Sequence, residues 1–367
     1  MIYLQGSVMR YKLLGRSGLR VSELCLGTMT FGDEWGWGGS SEESRKMFDI
    51  FANVGGNFID TANAYTNGTS EKLVGEFIAP ERDRFVVATK YTANTRPGDP
   101  NAGGNARKSL VQGIEGSLKR LGTEYIDLLW VHAWDFMTPI EEVMRSLDDA
   151  VRQGKVLYIG ISDTPAWIVS RANTLAQCYG WTPFIGLQIE YSLIERTPER
   201  DLVPMANALE LGITPWSPLA GGVLSGKYNK GKDSEAAQEE GDDNGGGSKR
   251  KDQGGISAEL TERNLNIAAE VGKIAEEVDR TAPQVALNWL RQQPGTVIPI
   301  IGGRKASQIE DNLGCLEFTL TPEQMQRLEA VSGIELGFPH DFLQGEMLNN
   351  FVHGGTLDQI DRPLLRR

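Results

Sequence analysis

The chain has 367 residues, 40 % hydrophobic and 23 % charged, a balance that suits a globular protein with a sizeable core. Its 37 basic and 49 acidic residues leave a net charge of −12; this argues against nucleic-acid and anionic-membrane partners, which need clustered Lys and Arg, while leaving room for one local basic site. Cys25, Cys178 and Cys315 are odd in number and widely spaced, so no disulfide framework or zinc site is expected, and without a long apolar run or an apolar leader the chain reads as cytoplasmic.

The elements follow in chain order. RYKLLGRSGLRVSEL places two short runs around Gly15 and Gly18 and predicts a β-hairpin that plugs the N-terminal end of a barrel. Eight apolar runs then read as strands: 23–29, 57–60, 84–90, 125–134, 156–162, 184–191, 212–218 and 296–302. They show little alternation, as expected of parallel strands covered on both faces. Helical patterns lie between most of them, among them SEESRKMFDIFANVGG with Ser at its start, and two patterns that stop at Gly122 and Gly154. Eight strand–helix alternations point to a (β/α)8 TIM barrel of the α/β class, and no G-x-G-x-x-G follows the first strand to favour an open doubly wound sheet. The whole chain reads as one domain with its barrel core at about 23–332. Residues 227–257 are polar and Gly-rich and follow the seventh strand, where a mobile lid over the barrel mouth is expected. Residues 333–367 form a weakly patterned extension that would pack across the barrel or join a homo-oligomer interface.

Ionisable residues end three successive strands. Asp60 ends NFID, Lys90 ends FVVATK, His132 ends LLWVH, and Tyr65 follows Asp60 in NFIDTANAY. Each has a plain alternative: a strand-end salt bridge or helix cap for Asp60, packing for Tyr65, a core histidine for His132. Together, in a barrel, they converge on one mouth, with Lys90 as partner for Asp60. The chemistry that fits is proton delivery to a carbonyl oxygen: Tyr65 as acid, its pKa lowered by the neighbouring ammonium, Asp60 holding Lys90 charged, and His132 donating to the oxygen.

These motifs, in this order, resemble those of the aldo-keto reductases, NADPH-dependent oxidoreductases built on a (β/α)8 barrel. The resemblance runs from about Leu13 to Ser332 and implies a tetrad of Asp60, Tyr65, Lys90 and His132, NADPH/NADP+ as cofactor, and a small carbonyl or alcohol as substrate. It implies cofactor contacts at Gly27 and Thr28 on the first strand's end. Ser162, Asp163 and Gln188 would hold the nicotinamide carboxamide, with Asp163 standing where the family commonly has asparagine. Trp216 would stack on the nicotinamide, and Ser217, Leu219, Gly221 and Lys227 would line the pyrophosphate. Gly303, Arg304, Gln308 and Asn312, in GGRKASQIEDN, would take the adenosine 2′-phosphate and the adenine; the N-terminus of a helix suits an anion. Trp35, Trp37 and Trp134 are expected to line a pocket for an apolar or ring-bearing substrate. Two other readings compete. One is a cofactor-binding regulatory subunit resembling ion-channel β subunits. The other is a barrel hydrolase using Asp60 and Glu190 as an acid–base pair, which leaves Lys90, His132 and GGRKASQ unexplained.

Overall fold

The computed structural model describes residues 9–228 and 259–361. A hairpin of β1 (Tyr11–Leu13) and β2 (Arg20–Ser22) comes first. Eight parallel strands follow: β3 (Cys25–Gly27), β4 (Phe58–Asp60), β5 (Val86–Tyr91), β6 (Ile126–Val131), β7 (Val156–Ser162), β8 (Phe184–Glu190), β9 (Gly212–Trp216) and β10 (Ile300–Ile301). Each pairs with its predecessor in the chain up to β9, and β10 pairs with β3 through Ile300↔Cys25 and Ile301↔Leu26. A bridge between Ile213 and Val297 joins the last seam, so the sheet is the expected (β/α)8 barrel. β10 is shorter than 296–302 because Pro299 has no N–H for the ladder; its carbonyl still accepts from the Cys25 amide at 3.0 Å.

The hairpin plugs the N-terminal end as expected. Leu14 at its turn is fully buried against Gly212, where a Cβ would lie 2.6 Å from Leu14 Cδ1. Lys12 Nζ donates to the Val297 carbonyl at 2.8 Å. Above the plug the interior is filled by Phe58, Val86, Leu128, Trp130, Ile185 and Ile300. Strands β5 and β6 are buried along their whole length, which is why their sequences do not alternate.

Helices α1 (Ser41–Asn53), α2 (Thr69–Ile78), α3 (Arg107–Leu121), α4 (Ile140–Arg152), α5 (Ala166–Tyr179), α6 (Leu202–Ala208), α7 (Glu262–Glu277), α8 (Ala282–Arg291) and α9 (Ala306–Leu313) are joined by α10 (Pro322–Ser332) and two short helices, α11 (His340–Gln344) and α12 (Glu346–His353). Side-chain caps close the starts of α1 at Ser40, one residue before the expected Ser41, and of α7, α8 and α10 at Thr261, Thr281 and Thr321. Helix α2 was not expected from the sequence. Gly68 gives it no side-chain cap, and its fully buried Glu71 breaks the apolar stripe. That carboxylate is held by Arg120 of α3 at 2.5 Å and by the Thr89 hydroxyl of β5 at 2.6 Å. No residue from 333 to 361 is buried, so this part of the extension does not pack into the barrel. The expected lid at 227–257 lies, apart from its first two residues, outside the described residues.

Trp130, with Trp289 one of the two largest fully buried side chains among the described residues, sits inside the barrel against β7 and β8. It fits because those strands offer Gly160 and Gly186: a Cβ at Gly160 would overlap its ring, and one at Gly186 would lie 2.9 Å from Cη2. Gly160→Ala is therefore expected to lower stability by about 1–3 kcal/mol, the usual cost of overpacking, measured by chemical denaturation.

Candidate active site

The C-terminal strand ends bring the four ionisable residues together. Lys90 is fully buried at the end of β5, and its ammonium donates to the Asp60 Oδ2, to the Thr61 carbonyl at 2.8 Å and to the Tyr65 hydroxyl at 3.1 Å. All three ammonium donors are thus satisfied. The Asp60 carboxylate takes a further bond from Gln188 Nε2 at 2.9 Å, across the barrel from β8. The Thr28 hydroxyl donates to the Asp60 carbonyl at 2.9 Å. Tyr65 is half-buried just past β4, and the next two residues, Thr66 and Asn67, hold left-handed φ values of 45° and 55°. Such strain persists only where surroundings fix it; here the Thr66 hydroxyl donates to the Phe31 carbonyl at 2.6 Å and accepts from the Ser70 amide at 3.0 Å. His132 follows β6, its ring edge-on to Tyr65 with centroids 6.0 Å apart.

Burial alone would lower the Lys90 pKa, but the Asp60 charge and the Tyr65 hydroxyl outweigh it and hold the ammonium charged. For Tyr65 the expectation of a lowered pKa is not met. Burial raises it, Lys90 pulls it down, Asp60 pushes it up, and the net shift is upward. The phenol therefore keeps its proton at neutral pH, and Lys90 acts on the charge that appears as the proton leaves. Burial and the Lys90 charge depress His132 to about 3, so its imidazole is neutral and can present one N–H.

The residues singled out for a dinucleotide lie around this centre. The Ser162 hydroxyl at the end of β7 is buried without a hydrogen-bond partner of good geometry, a group that calls for a polar ligand. Gln188 is beside it in register and spends one amide N–H on Asp60, which leaves its carbonyl oxygen and second N–H. Asp163, in a left-handed turn with φ 41°, accepts from the Trp216 indole at 3.0 Å. After β9, Ser217, Ala220, Gly221 and Gly222 all take left-handed φ in a tight turn. Leu219 packs beneath this turn, and Lys227 reaches over it: a Cβ on Gly222 would lie 3.2 Å from Lys227 Nζ. Backbone concavities of this kind suit phosphate. Beyond β10, Gly303 leads into α9. The Gln308 side-chain oxygen accepts from the Arg304 amide at 2.7 Å and the Lys305 amide at 3.2 Å, so its oxygen closes the helix start rather than facing a base. Asn312 is buried on the same helix. Gly27 has a packing reason of its own, since a Cβ there would lie 2.7 Å from Ile300 Cγ2.

Trp35 stands edge-on to Tyr65 at 6.4 Å between centroids and against Trp37 at 5.4 Å. Loop 30–40 is pinned by backbone bonds from Gly32 to Gly39 and from Gly39 to Thr30. Trp134 is tied by its amide to the Asp163 carbonyl at 3.5 Å, and it also lines a cavity of about 390 Å³ with Phe136, Met137 and Trp167. Sequence reasoning missed the bonds Gln188–Asp60 and Asp163–Trp216, which join strands far apart in the chain and carry no spacing signal. Among the described residues no cluster with metal-ligand character and no helix able to cross a membrane is present.

Comparison with known proteins gives a family and relatives. The model of the family described as Aldo/keto reductase family matches residues 23–332. An aryl-alcohol dehydrogenase (NADP+) of Phanerodontia chrysosporium is 40 % identical over 351 residues, 92 % of this chain and 89 % of that protein. A norsolorinic acid reductase of Aspergillus flavus is 38 % identical over 342 residues, 90 % of this chain and 83 % of that protein. The aryl-alcohol dehydrogenase GME11368 of Pestalotiopsis microspora is 39 % identical over 345 residues, 91 % of this chain and 85 % of that protein.

Glu190 ends β8 beside Trp216 and is a group whose charge the fold opposes. Partial burial, then Glu195, Glu259 and Asp163, raise its carboxyl to about 7. A carboxyl raised on folding costs no stability below its unfolded pKa of about 4.3 and the full penalty above its folded value. Glu190→Gln should therefore melt higher than wild type at pH 8, by about 2 °C or more. The two curves should converge as the pH falls towards about 4.3. Thermal melts across that range check it.

Proposed function

The chain belongs to the aldo/keto reductase family and is an NADP-dependent oxidoreductase, and we propose that it reduces aryl aldehydes or ketones to alcohols, with alcohol oxidation running over the same groups in reverse. The observation that carries this reading is the Tyr65 hydroxyl held at 3.1 Å by a buried ammonium that is itself paired with Asp60.

NADPH, when bound, supplies the hydride. The chain's part is the proton and the geometry. A carbonyl oxygen that meets the Tyr65 hydroxyl also meets the His132 imidazole, whose neutral ring donates a hydrogen bond without bringing a second positive charge to the site. As negative charge grows on that oxygen, the phenolic O–H bond breaks, the proton passes to the oxygen, and the phenolate left on Tyr65 is stabilised by Lys90. Asp60 keeps Lys90 in place and charged throughout. In alcohol oxidation the phenolate takes the hydroxyl proton back. The buried Ser162 hydroxyl beside Asp163, the free half of the Gln188 amide, the left-handed turn at 217–222 with Lys227, and Arg304 before α9 fit a dinucleotide laid from the barrel centre to its rim. Arg304 and Lys305 give the far end the charge that a 2′-phosphate needs, which supports NADPH over NADH. The aryl preference rests on Trp35 and Trp37 beside Tyr65 and on the names of the relatives.

Tyr65→Phe keeps the ring and removes the proton. NADPH oxidation with benzaldehyde is expected to fall at least ~100-fold, while NADPH binding, followed by fluorescence titration, stays near wild type. Turnover above about a tenth of wild type would remove Tyr65 from the role of general acid.

A further inference from the structure

Asp163 holds the Trp216 indole, yet its charge has no cationic partner of its own. Its side chain accepts from the neutral indole N–H at 3.0 Å, and no ion pair to it is formed among the described residues. Lys90, whose charge reaches it, is already committed to Asp60. Asp163 is also close enough to the catalytic pair to exchange charge with it: it adds to the upward shift of Tyr65, and its own carboxyl, raised on balance by burial, is drawn back down by the Trp216 indole, by the Lys90 charge and by the Ser162 hydroxyl. Its backbone is fastened on both sides, with its amide donating to the Gln188 carbonyl at 3.3 Å and its carbonyl accepting from the Trp134 amide at 3.5 Å. The carboxylate is therefore fixed at the mouth between the Tyr65 centre and the Trp216 ring, with solvent on its open side.

This placement matters because hydride transfer requires donor and acceptor carbons about 3–3.5 Å apart. A nicotinamide able to reduce a carbonyl held at Tyr65 must lie within range of Asp163. The nicotinamide ring is neutral when reduced and carries one positive charge when oxidised. We infer that Asp163 is a redox-biasing residue: its uncompensated carboxylate favours the oxidised cofactor over the reduced one, which makes the bound couple more reducing and tilts the site toward holding NADP+. A neutral amide at 163 would hold Trp216 equally well through its oxygen and would give no such bias. The inference rests on the reading of the site as a nicotinamide site.

The test is the pair of dissociation constants for NADP+ and NADPH, measured without substrate by quenching of protein fluorescence in wild type, Asp163→Asn and Asp163→Ala. Asparagine keeps an acceptor for Trp216 and removes the charge; alanine removes both. In both variants the ratio Kd(NADP+)/Kd(NADPH) is expected to rise about 3- to 30-fold over wild type, a range reduced from the Coulomb value for screening at the open mouth. Each tenfold step corresponds to about 30 mV in the midpoint potential of the bound two-electron couple. A purely structural role for Asp163 would weaken both cofactors together in the alanine variant and leave the asparagine variant like wild type. That outcome, or an unchanged or falling ratio in Asp163→Asn, overturns the inference while the nicotinamide reading stands. Failure of both cofactors to bind wild type overturns the nicotinamide reading and the inference with it.

Discussion

A lysine with no solvent exposure is tolerable only if something answers its charge, and the ion pair between Lys90 and Asp60 is the constraint on which this site depends. Taking two charges out of water is costly, and their attraction compensates only when geometry is good and the remaining donors and acceptors are met. Here they are met: the Thr61 carbonyl and Tyr65 hydroxyl take the other lysine protons, and Gln188 takes the free carboxylate oxygen. A pair this complete fixes the relative positions of β4, β5 and β8 at the barrel mouth. It also determines where Tyr65 stands, because the phenol is the third partner of the ammonium.

The barrel makes this possible by geometry alone. Parallel strands all end on one side, so single polar residues at strand ends meet without any being close in sequence. The opposite end needs no chemistry and is closed by the hairpin, with Leu14 against Gly212. Between the two ends Trp130 fills the interior against two glycines, a rigid floor on which the polar layer above is built. Electrostatics then divides the labour. Burial keeps the proton on Tyr65 and the imidazole of His132 neutral, while Lys90 retains its charge. Each group thereby holds the protonation state that carbonyl reduction needs.

Much of this was legible in the sequence, for physical reasons that differ from part to part. The eight strands stand out because both faces of a parallel sheet are buried, so each strand is a continuous apolar run. Asp60, Lys90 and His132 stand out because each interrupts such a run at its end. Helix α2 escaped because its buried Glu71 looks like a solvent-facing residue until Arg120 and Thr89 are seen to hold it. The direction of the Tyr65 shift also escaped. A sequence shows that an ammonium is near but not how much burial opposes it. The bonds from Gln188 to Asp60 and from Trp216 to Asp163 depend on side chains meeting across the barrel, and no spacing encodes them.

The central claim is that the Lys90 charge acts directly on the Tyr65 phenol. The most direct measurement is the pH titration of Tyr65 in the protein alone, followed by ring-carbon NMR of labelled tyrosine in wild type and in folded Lys90→Met. Lys90 pulls the phenol pKa down against burial and Asp60, so removing its charge should move the Tyr65 midpoint to higher pH. A midpoint that stays where it is in wild type, or moves lower, would contradict the account.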